Sequence, residues 1–410
     1  MIAAGAIAML IAATPQAAMK LRPGAGGKLC LGCHQPFEKT LKKAFVHTPL
    51  RGGECIACHN PHASEHGKLL SGEAGAVCAR CHERVVPQNA KSVHKPVSEG
   101  ACLGCHDPHA SDNKFELRNR GNEGCATCHA SVVEASARAK VGHAPVQQGC
   151  ATCHDPHGSG KASSLLRAAE PELCLSCHRT LNSAAHAGYP VAKAACSGCH
   201  DPHGSDRKGM LYASVHKPVA DGQCSSCHAE ASSKQPLQAR LQGIALCRDC
   251  HSVQVGRMLD ASHVHWPLTD GASCLNCHSP HASKQPGLLS GRQAQVCGSC
   301  HADTLTRQEQ SPTKHVPVRD GSCTSCHEPH ASEGALLLRK ANVAQVCQKC
   351  HDYGKHSSHP MGENLRDGRN RNLGVDCLSC HRAHGTEFKH MALYATSTEL
   401  CTKCHEKFKR

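Results

Sequence analysis

Apolar residues are thinly and irregularly spread along this chain. The one continuous apolar run, Ile2 to Ala13, is rich in alanine and is followed by Thr14-Pro15-Gln16-Ala17-Ala18. Its length and the small residues after it resemble a secretory signal, although the basic residues that open such signals are missing. The run is too short for an ordinary transmembrane helix, and no other stretch is apolar enough to span a bilayer. Four leucine pairs stand out further on: Leu69-Leu70, Leu165-Leu166, Leu288-Leu289 and Leu337-Leu338. Each ends eight or nine residues before a cysteine. That is about two helical turns, so the pattern predicts short helices leading into those cysteines with one apolar face. The 36 glycines and 22 prolines interrupt everything else. The expected fold is mostly irregular with short α-helices and little or no β-sheet, and residues 20–28 read as a linker.

The cysteines carry the pattern that the apolar residues lack. All 32 fall in Cys-x-x-Cys-His units, sixteen in number. The first four are Cys30, Cys33 and His34; Cys55, Cys58 and His59; Cys78, Cys81 and His82; Cys102, Cys105 and His106. Four more follow: Cys125, Cys128 and His129; Cys150, Cys153 and His154; Cys174, Cys177 and His178; Cys196, Cys199 and His200. The third group is Cys224, Cys227 and His228; Cys247, Cys250 and His251; Cys274, Cys277 and His278; Cys297, Cys300 and His301. The last is Cys323, Cys326 and His327; Cys347, Cys350 and His351; Cys377, Cys380 and His381; Cys401, Cys404 and His405. This is the attachment signature of c-type haem. Two thiols bond the vinyl groups of one porphyrin, and the next residue becomes the proximal iron ligand. A zinc ribbon has no need of a histidine after every pair. A disulfide framework leaves those histidines unexplained, and a thioredoxin-like pair needs one motif. The expected cofactors are therefore 16 covalent c-type haems.

That reading changes what composition means. Aromatic residues make up only 2 % of the chain, with a single tryptophan. An ordinary core is ruled out, and the porphyrins must supply most of the apolar interior of an elongated repeat array. Folding should then be coupled to attachment, as in small metal domains. The formal charge of +13 suggests a polyanion partner at first sight. Haem propionates reverse that: with ferric cores the holoprotein has about −3, and with ferrous cores about −19. No nucleic-acid partner is expected.

The motifs are of two types. One has His-x-Pro seven to ten residues upstream and Pro-His directly downstream; it begins at Cys55, Cys102, Cys150, Cys196, Cys274 and Cys323, with looser versions at Cys224 and Cys377. The other lacks both flanks and begins at Cys30, Cys78, Cys125, Cys174, Cys247, Cys297, Cys347 and Cys401. They alternate with 46 to 54 residues per pair, except between Cys196 and Cys224, where only 28 residues pass and two motifs of the first type meet. That break suggests residues 29–211 and 212–410 as two halves of eight haems each, in an array whose units contact mainly their neighbours.

Nineteen of the 35 histidines lie outside the motifs, and fifteen of them occupy recurring slots. Eight precede a motif: His47, His94, His143, His186, His216, His265, His315 and His359. Seven follow one: His62, His109, His157, His203, His281, His330 and His384. These are the candidate distal iron ligands. Three residues span at most about 11 Å of extended chain, too little for His327 and His330 to reach opposite faces of one haem. His330 and its equivalents should ligate a neighbouring haem and so clamp the two together. The competing reading is that they bind propionates or cap turns. After His228 the chain reads Ala-Glu in place of Pro-His, so one site lacks its slot. His263, His356 and His390 are the reserve for it, and His66 falls outside the slots.

The order His-x-Pro, Cys-x-x-Cys-His-x-Pro-His and then a plain Cys-x-x-Cys-His resembles the doubled Cys-x-x-Cys-His multihaem cytochromes. That class includes decahaem conduits held inside outer-membrane porins of metal-respiring and iron-oxidising bacteria. The resemblance covers roughly residues 29–405 and implies closely stacked low-spin bis-histidine haems, at lower potential than Met/His ligation gives. It implies an exported electron carrier, in the periplasm or else at the outer membrane or outside the cell. Expected partners are redox proteins and, by the resemblance, a porin or an extracellular cytochrome. The rival readings are a multihaem reductase with one open iron, for which residues 224–251 are the candidate, and a subunit of an extracellular cytochrome filament.

Overall fold

The computed structural model describes residues 25–181, 184–352, 359 and 361–405; the signal-like run and His356 lie outside them. Each motif folds into a single turn in which the histidine N–H donates to the carbonyl of the first cysteine, as in His59 to Cys55 (3.0 Å) and His82 to Cys78 (3.0 Å). This turn sets both sulfurs and the imidazole on one side of the backbone. The two motif types differ in what precedes the turn. Flanked motifs open with a 3₁₀ turn, such as Cys102–Gly104 or Cys323–Ser325. Plain motifs place their first cysteine near the end of a short α-helix, such as Ala74–Ala79, Gln293–Gly298 or Val343–Cys347.

The His-x-Pro flank also has a local cause. In Lys95–Ser98, Lys217–Ala220 and Val316–Arg319 the histidine is the residue before the helix and proline stands in the first turn. Proline is tolerated there because that N–H has no partner inside the helix.

What joins the repeats is a set of very short antiparallel ladders. In chain order the strands are β1 (Phe45–Val46), β2 (Ser92–Val93), β3 (Ala110–Ser111), β4 (Gly158–Ser159), β5 (Ser214–Val215), β6 (His263–Val264), β7 (Ala282–Ser283) and β8 (Ala331–Ser332). β1 pairs with β3, β2 with β4, β5 with β7 and β6 with β8. Bridges Val141–Ser205 and Thr313–Thr386 continue the scheme. In every case the chain just before an upstream histidine pairs with the chain after the Pro-His, or its equivalent, of the next flanked motif. A longer hairpin, β9 (Gly362–Asp367) with β10 (Asn370–Val375), precedes Cys377. The sequence reading did not foresee it.

The chain divides into two compact units. One is Met1–Ala137 with His143–Leu173, described from residue 25 onward; the other is Arg138–Gly142 with Cys174–Arg410. Neither has a protein core of ordinary size. Among the described residues only eight hydrophobic side chains are buried: Val77, Ala110, Tyr189, Val255, Leu268, Ala282, Val346 and Val375. Large apolar side chains such as Phe115 (75 % exposed) and Leu336 (72 %) stand beside the motifs, as a porphyrin-filled interior requires.

The leucine pairs do not form the expected helices. Leu70, Leu166, Leu289 and Leu338 bridge back to the motif histidines His59, His154, His278 and His327. Their predecessors Leu69, Leu165, Leu288 and Leu337 have φ of 55–60°. The leucines close a tight left-handed turn, and the helix starts after it.

Candidate haem and iron-ligand sites

The left-handed turn positions the proximal ligand. In all eight flanked motifs the histidine Nδ1–H donates to a carbonyl nine or ten residues on: Lys68, Phe115, Ser164, Gly209, Leu237, Gly287, Leu336 or His390, at 2.6–3.0 Å. That bond fixes the tautomer and leaves Nε2 unprotonated, as a metal ligand requires. Most of these carbonyls belong to a residue at positive φ, including Lys68 (61°), Phe115 (61°) and Leu336 (58°). The turn is closed by a hydroxyl that donates to the bridging residue's carbonyl: Ser111 to Leu117 (2.5 Å), Ser159 to Leu166 (2.5 Å) and Thr386 to Ala392 (2.8 Å). Ser64, Ser205, Ser283 and Ser332 make the same bond. A hydroxyl five residues after the motif histidine was therefore a legible signal that the sequence reading passed over.

Each of twelve motif histidines faces a second histidine across a gap. An imidazole nitrogen lies about 2.0 Å from a first-row metal and the ring centre about 1.1 Å further, so two trans ligands have centres about 6.2 Å apart. The observed separations are 5.9–6.4 Å. In the first unit His47 faces His82 (6.0 Å), His109 faces His59 (6.1 Å), His94 faces His129 (6.1 Å) and His157 faces His106 (6.0 Å). In the second unit the flanked-motif histidines His228, His278 and His327 face His281, His330 and His384 at 5.9–6.0 Å. The plain-motif histidines His251, His301 and His351 face His216, His265 and His315 at 6.1–6.2 Å. His186 faces His200 (6.2 Å) and His359 faces His405 (6.4 Å). The residues fit an iron held between two imidazoles.

Apart from His186, which faces His200 of the motif it precedes, both slots obey one rule. A histidine following a flanked motif stands opposite the preceding flanked motif, about fifty residues back; His330 faces His278, not His327. A histidine preceding a flanked motif stands opposite the plain motif that comes next. The ladders enforce this. His47 N–H donates to His109 carbonyl (2.9 Å), His94 to His157 (3.1 Å), His216 to His281 (2.9 Å) and His265 to His330 (2.9 Å). The upstream imidazoles His94, His216 and His265 donate Nδ1–H to the carbonyls of Pro156, Pro280 and Pro329 at 2.8–2.9 Å. His315 bonds the backbone of Ala383, the equivalent position, while burial holds its pKa below the usual histidine value. Burial likewise lowers His109, His157, His281, His330 and His384, which favours the neutral, ligating form.

By this rule the histidine missing after His228 would have stood opposite His200, where His186 stands in its place, while His228 itself faces His281. His263 lies in β6 with an exposed ring, His390 gives its carbonyl to His381, and His66 meets Glu73 at 3.2 Å. His62 donates its backbone N–H to Asn60 Oδ1 (3.2 Å), and His203 its own to Asp201 (3.1 Å). Beside Asp201, Lys284 (2.9 Å) and His203 outweigh the cost of burial and hold its carboxyl down at about 2.

The sulfurs are ordered too. First cysteines meet in pairs, Cys30 with Cys55, Cys78 with Cys102, Cys125 with Cys150, Cys247 with Cys274, Cys297 with Cys323 and Cys347 with Cys377. Second cysteines meet between these pairs: Cys58 with Cys81, Cys227 with Cys250, Cys277 with Cys300, Cys326 with Cys350 and Cys380 with Cys404. As free thiols Cys125 and Cys247 are pushed up to about 11 and Cys347 to about 12 by burial and the neighbouring sulfur, while the hydrogen bond to Cys297 holds Cys323 down at about 6. In these eleven steps consecutive attachment points are thus neighbours within their unit.

Repeated thioether-forming motifs with carbonyl-oriented histidines define a multihaem c-type cytochrome, a protein of electron transfer that holds many haems covalently. The chain belongs to the family described as Doubled CXXCH motif, which it matches over residues 47–86, 94–134, 143–183, 189–215, 216–256, 265–306, 315–356 and 371–410. No curated protein matches it. No helix among the described residues is long and apolar enough to cross a membrane.

Proposed function

We propose that the chain carries sixteen c-type haems, each iron held by a motif histidine and a second histidine, and moves electrons along them as an exported conduit or periplasmic carrier. The observation that carries this is the succession of attachment points: in eleven steps a cysteine of one motif lies beside a cysteine of the next, alternately first and second. Bound haem supplies one-electron iron chemistry. The chain's own part is to set spacing, ligand and solvent access. The Nδ1–H bonds hold the proximal imidazoles in one tautomer, and the ladders tie each distal imidazole to a neighbouring repeat. Each clamp made through a ladder therefore joins two repeats and limits the drift between their haems, on which tunnelling depends steeply.

The geometry speaks against an open iron at residues 224–251, since His281 and His216 stand opposite His228 and His251. Pore threading, a filament role, redox partners and export rest on the resemblance and the signal-like run. Intact mass of the mature protein tests the core of the proposal. Sixteen haem additions are expected. Carbon monoxide added to the dithionite-reduced protein should leave the spectrum unshifted; fewer haems, or a stoichiometric CO shift, would overturn it.

A further inference from the structure

The facing imidazoles fall into two groups by the angle between their planes. Ten pairs are near-parallel, at 13–29°. Two are steep: His186 with His200 at 65° and His359 with His405 at 73°. The division follows the backbone. In the near-parallel pairs the second histidine stands directly beside one of the ladders or the Thr313–Thr386 bridge, which hold the backbone that carries the ring. His186 instead reaches the motif of its own repeat, fourteen residues on. It ends a 3₁₀ turn, Ala184–His186, and is followed by two left-handed residues, Ala187 (φ 50°) and Gly188 (φ 76°). His359 comes from the segment just before β9, in the repeat that carries the extra hairpin.

Tyr189 anchors the first of these loops. It is 8 % exposed, its N–H donates to the His186 carbonyl (3.0 Å) and its hydroxyl to the Ala229 carbonyl (2.9 Å). Its ring lies 6.4 Å from His228. Ala229 stands directly after a motif histidine, where the other flanked motifs begin their Pro-His run. At the seam where the alternation breaks, a tyrosine hydroxyl takes up the chain that elsewhere carries the distal histidine.

The angle has electronic consequences. Parallel imidazole planes donate into the same iron d orbital and separate the two upper levels of a ferric low-spin centre. Crossed planes donate into both and leave those levels nearly equal. Such a centre shows a single low-field resonance at large g in place of a rhombic triplet, and it is easier to reduce, because axial-ligand electronics set the potential. Resting on the bis-imidazole reading above, we infer that the haems of the Cys196 and Cys401 motifs form a separate redox class, the first to accept electrons, one at the seam and one in the last repeat. Tyr189 is a positioning residue for the first of them.

The test is EPR of the oxidised holoprotein during stepwise reduction. A large-g signal worth at least two haems should be present and should vanish ahead of most of the rhombic signal. His186→Met and His359→Met should each remove one haem's worth of it, and His216→Met none. Tyr189→Phe, which keeps every ligand, should lower its g value or halve the two-haem intensity while the haem count is unchanged. Loss from the rhombic signal in His186→Met, no change in Tyr189→Phe, or no large-g signal in a fully low-spin protein would overturn the inference and leave the bis-imidazole reading standing. High-spin iron in the unaltered protein at these motifs would overturn both.

Discussion

His330 lies opposite His278, with ring centres 5.9 Å apart and planes 16° apart, while His327, three residues before it, faces His384 at 6.0 Å. Neighbouring histidines in sequence therefore face different motifs. A double substitution reads this directly. His330→Ala should open one iron and His384→Ala another, so the double variant should show two high-spin, CO-binding haems. If both histidines served the Cys323 motif, the double variant would show one.

Gly75 permits the approach of two attachment points. A Cβ there would lie 2.8 Å from the Gly100 Cα, and Gly100 itself has φ +69°. Helix Ala74–Ala79 carries Cys78, and the turn at Gly100 leads into Cys102. Gly75→Val should push them apart at a cost of about 1–3 kcal/mol. The check is a lowered midpoint of thermal unfolding, together with slower electron exchange between the two haems involved.

Lys68 is an exposed residue in the left-handed conformation (φ 61°), at a position where Gly209 (71°) and Gly287 (64°) stand in other repeats. Left-handed backbone costs an L-residue about 1–2 kcal/mol, and glycine's freedom in the unfolded chain takes back part of that. Lys68→Gly should stabilise the turn by about 0.5–1 kcal/mol. Slower amide exchange over residues 58–71 would show it, and faster exchange would contradict it.

Asp367 is 4 % exposed and pairs with Arg369 at 2.6 Å. That guanidinium, aided by backbone and Ser379 hydrogen bonds, holds its carboxyl well below the usual value of 3.8 despite burial. The folded form is the stronger acid, so its stabilisation is complete above 3.8 and is lost as pH falls through the lower folded value. Asp367→Asn should destabilise the hairpin by about 1–3 kcal/mol at neutral pH and flatten its acid dependence. Hydrogen exchange of residues 362–375 from about pH 5 down to about pH 2 measures both effects.

Much of the site was legible because it is local. Cys-x-x-Cys-His closes in one turn, so the cysteine spacing names the attachment atoms and the proximal ligand without tertiary information. The His-x-Pro flank was legible for the same reason, proline being accepted in the first turn of the helix that follows. The leucine pairs misled because an apolar pair at helical distance from a cysteine looks the same before a helix and inside a left-handed turn. The hairpin at 362–375 gave little warning: its strands are polar and mostly exposed, so they lack the alternation that announces a half-buried strand.

By itself the sequence determined the sixteen attachment motifs, the histidine that closes each one, and the short reach that sends the histidine three residues on toward another motif. Those follow from bonds and turns that span five residues, or from the reach of three. Only the tertiary structure decided which distal histidine faces which motif. His109 meets His59 across fifty residues, through the ladder that joins β1 to β3, and nothing in either local segment encodes that register. The plane angles at His186 and His359 were likewise decided by how each loop arrives, because a ring's rotation about the metal axis depends on packing and not on residue type.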